Sequence, residues 1–232
     1  FRDNPQQHGL VPDGSKYLEV SDRKDSARLK VTAKSYTLSE ARRSPIFQYV
    51  IAALFISSVI ETAITFHIVS IFEESGLTRA AAVRFFFPVY LVSIVSHFIG
   101  SWLSDYIENK YFALILLAGV GLSSAMLLIL TPGFPLWLLI LGQGLGHGMF
   151  GICSTVLWPR YFGTKNLGSI YGFAMVWGVV GSALGPFLFS LSIDYWGSYA
   201  AAGMGGLVIS VLLIVLTARS FLQTRNAGVD AE

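Results

Sequence analysis

Trp158-Pro159-Arg160-Tyr161-Phe162-Gly163-Thr164-Lys165-Asn166-Leu167-Gly168-Ser169-Ile170-Tyr171-Gly172 decides the fold. An apolar, glycine-rich run leads into it and another leads out, each long enough to cross a bilayer. Between them stand two cations, a proline, and the glycines Gly163, Gly168 and Gly172. A polar segment pinned between two such runs marks a place where the chain leaves the membrane and re-enters on the same side. Arg160 and Lys165 assign that side to the cytoplasm.

Working outward, six apolar runs lie at about 46–72, 80–103, 111–131, 134–157, 168–193 and 198–218. At about 1.5 Å per residue each spans the roughly 30 Å hydrocarbon core. Short polar connections, such as 73–78, 104–110, 131–133 and 194–197, force antiparallel neighbours. Composition agrees: 53% of the 232 residues are hydrophobic and 13% charged, about half the charge of a soluble domain. The expected fold class is therefore an all-α membrane protein with six transmembrane helices.

Residues 1–45 read as a cytoplasmic linker, 46–219 as the six-span bundle, and 220–232 as a cytoplasmic tail. Residues 16–43 carry eight of the sixteen Lys and Arg. Thr37-Leu38-Ser39-Glu40 has capping-box spacing, which predicts a short helix on the membrane surface. Ser44-Pro45 is a helix start. With the linker inside, fourteen of the sixteen cations fall on its side, and only Arg79 and Arg84 fall opposite. That bias places both ends of the chain in the cytoplasm, in a cell (inner or plasma) membrane. The chain opens on Phe1 with no signal-peptide pattern, and it is expected to be a piece of a longer polypeptide. Its single Cys153 allows no internal disulfide.

Glycines stand four apart at Gly142/Gly146, Gly144/Gly148 and Gly181/Gly185, a spacing that lets helix backbones approach closely in lipid. Gly185-Pro186 predicts a kink. These faces serve either tight packing or sliding during a transport cycle.

Ser101-Trp102-Leu103-Ser104-Asp105 resembles the second copy of a loop motif of the major facilitator superfamily, Gly-x-Leu-(Ser/Ala)-Asp followed by basic residues. Here Ser101 replaces the glycine, Tyr106 replaces the first basic residue, and Lys110 is what remains of the cations. The six runs and the basic linker resemble that family's C-terminal half. Phe1-Arg2-Asp3-Asn4-Pro5, Thr65-Phe66-His67-Ile68-Val69-Ser70, Trp158 to Gly163, and Gly181-x-x-x-Gly185-Pro186 with Asp194-x-x-Gly197-Ser198-Tyr199 are similar to the oxalate/formate antiporter and monocarboxylate porter branch. The resemblance implies alternating access, a substrate near mid-membrane, and a missing N-terminal six-helix half as partner. It also implies that Asp105, Lys110, Arg160, Gly181, Gly185 and Pro186 take part in the conformational switch.

Ionisable groups inside a membrane are costly and mark functional sites. Glu61 lies past the middle of the first span, either as a proton-coupling or substrate-contact carboxylate or as half of a structural ion pair. His67 lies near the outer end, interfacial or lining the entrance. Arg84, in the outer part of the second span, can hold a carboxylate bidentately, pair with Glu61 or Glu73, or reach the outer interface. His97 is a minor candidate. Gln143 and His147 stand one turn apart, hydrogen-bonding a substrate or relaying a proton on one reading, bonding a neighbouring helix on the other.

No Walker loop, Cys pair or His-Glu-x-x-His is present, so no enzyme, cofactor or metal site is expected. No nucleic-acid partner is expected either. The expected function is secondary active transport of a small solute, an organic anion such as a monocarboxylate, with proton coupling or exchange. The bilayer and protons are its other partners. The competing reading is a transporter-like sensor that binds a ligand without carrying it.

Overall fold

A computed structural model describes residues 35–108 and 110–229. The loop and most of the basic linker read from residues 1–34, and the last three residues of the tail, lie outside the described residues. The described chain is helical throughout: α1 (Leu38–Arg43), α2 (Pro45–Glu74), α3 (Arg79–Leu103), α4 (Lys110–Met126), α5 (Phe134–Thr155), α6 (Leu157–Phe162), α7 (Leu167–Trp196) and α8 (Ala200–Val229). Five of these elements are long and apolar enough to cross a membrane, α5 continuing through α6 to Phe162, and α4 is a shorter apolar helix.

Local chemistry sets the ends. Thr37 caps α1 reciprocally: Glu40 N donates to Thr37 Oγ1 at 3.3 Å, and Thr37 N donates to Glu40 Oε2 at 2.8 Å. Pro45 stands in the first turn of α2, where a missing N–H costs nothing. Thr78 Oγ1 accepts from Ala81 N at the start of α3. Gly197, at φ +66°, closes α7 in the left-handed region that side chains avoid.

Three sequence expectations are corrected. The segment from Trp158 is not a loop at its start: Leu157–Phe162 forms α6, and Trp158 and Phe162 are buried against Phe47. Aromatic burial outweighs the helix-breaking look of Pro159, which sits within the first turns of α6, where its lost N–H matters least. The polar connection shrinks to Gly163–Asn166. The third run ends as helix at Met126, not 131. Leu128 and Ile129 bond back only three residues, to Ala125 and Met126, ahead of Thr131-Pro132. Finally, Asp194-Tyr195-Trp196 is the last turn of α7 rather than a connection.

α2 is the central element and the most buried. It packs along α7 and also meets α8, α4, α5 and α3; α5 packs between α4 and α3, and α4 packs on α8. Helices in lipid gain little from apolar burial, so close backbone contact and polar bonds hold them together. Gly185 shows how close α2 and α7 come: a Cβ there would overlap the Val59 carbonyl oxygen. One turn earlier, a Cβ at Gly181 would stand 2.7 Å from the Phe55 carbonyl oxygen. The outer faces stay apolar and uncovered, as with Phe87 at 79% exposure and Phe98 at 72%, which suits lipid contact.

Candidate functional site

Two ends and a middle carry the polar chemistry. At the end that holds α1, Tyr36 N donates to the Phe162 carbonyl at 2.9 Å, and Asn166 Nδ2 donates to the Tyr36 carbonyl at 2.8 Å. There Arg160, from α6, donates through Nη2 to Asp105 Oδ1 at 2.7 Å and through Nη1 to the Ser104 carbonyl. The cation that the 101–105 motif lacks downstream of Asp105 is thus supplied from the far side of α5. Lys110 instead pairs with Glu108. Charge-assisted bonds of this kind contribute about 1.5–3 kcal/mol. Arg160→Gln is therefore expected to lower the unfolding temperature and to speed maleimide labelling of the buried Cys153. Unchanged labelling would show that the tie does not hold this end closed.

At the opposite end His67 is a strut. Its Nε2 bonds the Pro186 carbonyl at 3.0 Å, and a carbonyl only accepts, so Nε2 carries the proton. Nδ1 then accepts from Tyr199 O–H at 3.1 Å. Burial pushes the Tyr199 phenol above its ordinary value, and the Glu74 charge adds to the shift, so the phenol keeps its proton at neutral pH. Glu74 itself accepts from Ser198 Oγ at 2.6 Å and from Tyr199 N at 3.2 Å. His67 thus spends both ring nitrogens inside the protein, tying α2 to α7 and to the α7–α8 turn. Tyr199→Phe is expected to cost about 1 kcal/mol. Chemical unfolding checks this, and stability equal to wild type would contradict the strut.

In the middle, α2 and α5 meet through Glu61 and His147. His147 Nδ1 bonds the Gln143 carbonyl at 2.9 Å, which makes it the protonated nitrogen, and it also pairs with Glu61 Oε2. Glu61 is 6% exposed, and its Oε1 has no partner among the described residues. Gly146 makes the pair possible: a Cβ there would overlap Glu61 Oε1. A cavity of about 170 Å³, lined by Ser57, Ser58, Glu61, Thr62, His147 and Phe150, opens beside them. Tyr90 of α3 sets its ring edge-on to His147 at 6.0 Å.

Of the residues singled out from sequence, the structure brings Glu61 and His147 together. The Gln143 side chain is buried, but it is the Gln143 carbonyl that meets His147, and its Nε2 has no partner among the described residues. Arg84 is exposed, makes no ion pair among the described residues, and lies six residues from Tyr90, about 9 Å along α3 and on a different face. His97 bonds the Gly148 carbonyl at 3.1 Å. Gly181, Gly185 and Pro186 all lie on the α2–α7 contact. Sequence reading passed over Ser57, Ser58 and Thr62. Their spacing was the available signal, since Ser57 and Ser58 each stand one turn before Glu61 and Thr62.

The family model described as Major Facilitator Superfamily matches residues 2–186 and, in a second overlapping match, 89–229. The chain belongs to the Major Facilitator Superfamily. No curated protein matches it. Membership makes it an integral membrane protein of the transporter class, with a small-molecule substrate and a bilayer around it. The helical architecture is consistent with one half of a superfamily bundle.

Proposed function

We propose that the chain is the C-terminal half of a secondary active transporter that moves a small organic anion by alternating access, with Glu61 and His147 as its proton-coupling pair. The observation that carries this reading is the pair itself. A largely apolar bundle keeps a carboxylate and an imidazole in contact across two helices, beside a polar cavity. Burying such groups is costly, so their retention in a membrane points to use. An imidazole and a carboxylate sharing a hydrogen bond can pass a proton between them and hold it jointly. The cavity beside the pair leaves room for that proton to enter.

In this reading the α1 end is cytoplasmic, because the Lys and Arg excess lies there. Residues 1–45 link this bundle to an N-terminal six-helix half, and residues after 219 form the cytoplasmic tail of a plasma or inner membrane protein. Alternating access then rocks one half against the other, with the Asp105–Arg160 tie at one end and the His67–Tyr199 strut at the other. The anionic substrate class, of the monocarboxylate kind, is supported by Arg84, a cation in the outer part of α3 with no ion pair among the described residues.

The experiment is uptake by the complete polypeptide in proteoliposomes. Labelled formate, lactate, pyruvate, oxalate and a neutral sugar are offered with and without an inward proton gradient. The expected result is proton-stimulated uptake of a monocarboxylate that Arg84→Gln weakens. Uptake of the sugar alone, or uptake indifferent to the gradient, would overturn the anion–proton reading.

A further inference from the structure

Between the start of α2 and the start of α7 lies a second cavity, of about 420 Å³, with Arg42 at its mouth. Its walls are aromatic: Phe47 and Phe55 from α2, Phe173 and Trp177 from α7. Its polar groups besides the Trp177 indole are the Arg42 guanidinium and the Gln48 amide, and the Gln48 Nε2 bond to the Arg42 carbonyl at 3.1 Å ties the last turn of α1 to α2 there. The guanidinium lies over the Phe173 ring, 4.8 Å from its centre. A guanidinium held over a ring in this way can still use its N–H edge to grip a carboxylate with two parallel bonds. Arg42 makes no ion pair among the described residues, and neither does the adjacent Arg43.

The cavity is aligned with the Glu61–His147 pair. Gln48, Ile51, Ala52 and Phe55 line it from α2, and Ser58 and Thr62 continue the same helical stripe into the smaller cavity beside Glu61. Phe55 and Trp177, both in its lining, meet edge to face at 6.1 Å, and the next turn of α2 brings Ser58 against Gly178.

The geometry points to a second ligand site in this cavity, an inner docking site for a monocarboxylate with an apolar or aromatic body. The carboxylate bonds Arg42, and the body lies in the aromatic trough. The inference rests on the proposed transport of organic anions and narrows their class: a bare formate or oxalate would leave the trough unfilled.

The test is binding of phenylacetate to the purified complete polypeptide by calorimetry, beside formate and oxalate. Wild type is expected to bind phenylacetate about tenfold or more tightly than formate, from burial of the ring. Arg42→Gln is expected to weaken phenylacetate about tenfold or more. Arg42→Lys, which keeps the charge and loses the fork, is expected to fall between them, and it serves as the test should the Gln variant fail to fold. Equal binding by wild type and both variants, or formate binding as tightly as phenylacetate, would overturn the site. So would binding of phosphatidylglycerol but not phosphatidylcholine, with phenylacetate failing to bind, which would give the trough to an anionic lipid. Binding needs no transport, so a wild type that binds phenylacetate yet carries nothing would sink the transport reading and leave this site standing.

Discussion

Glu61→Gln is expected to abolish proton-driven accumulation while leaving solute exchange in place. The substitution keeps the size of the side chain and an oxygen for His147 Nδ1–H, so the α2–α5 contact survives. What it removes is the charge. An imbalance of about two pH units, coupled at one proton per solute, is worth about 2.7 kcal/mol, or roughly hundredfold accumulation. The variant is expected to level off near the outside concentration. Its exchange of labelled for unlabelled solute is expected to continue, because the exchange cycle need not pass through a proton-loaded state. Accumulation at the wild-type level would remove Glu61 from the coupling path. Loss of exchange along with accumulation would make Glu61 a substrate-contact group instead.

The largest expected effect on stability is at Gly185. A Cβ there would overlap the Val59 carbonyl oxygen, with Val59 C at 3.1 Å and Ala63 N at 3.3 Å behind it. All three are backbone atoms, so no rotamer change relieves the clash. Gly185→Val must push α7 away from α2. That separation also strains the Gly181 approach, the Thr62–Ser182 hydroxyl contact at 3.0 Å and the His67–Pro186 bond. Overpacking of this kind costs about 1–3 kcal/mol, and here the top of that range is expected because backbone must move. Gly205 is the control, because a Cβ there meets nothing within 4 Å. Gly205→Val is expected to unfold close to wild type, and Gly185→Val well below it. Equal unfolding temperatures would show that the α2–α7 crossing is looser than described.

Much of this architecture was legible in the chain. The capping box at Thr37 and the Ser44-Pro45 start follow from local chemistry, and local chemistry decides them. The ends of α4 and α7 were less legible, because apolar residues continue past Met126 and polar ones precede Gly197, so hydropathy misplaces both boundaries. The aromatic segment at Trp158 misled for a related reason: its Pro and cations look like a loop, but burial against Phe47 makes it a helix. At the site, Glu61 and His147 stood out singly as ionisable residues in apolar runs. Their contact was not legible, because it depends on the rotation of α2 against α5. Gly146, which makes room for the carboxylate, looks like every other glycine of α5 until the neighbouring helix is in place. The same limit hid the Arg160 partner of Asp105.

The most direct measurement of the central claim is proton movement itself. The complete polypeptide is reconstituted in vesicles holding a trapped pH dye, and solute is added outside with no imposed gradient. The account predicts that wild type acidifies the lumen as solute enters, and that Glu61→Gln gives no pH signal. Undiminished acidification by Glu61→Gln would contradict it and place proton coupling outside the Glu61–His147 pair.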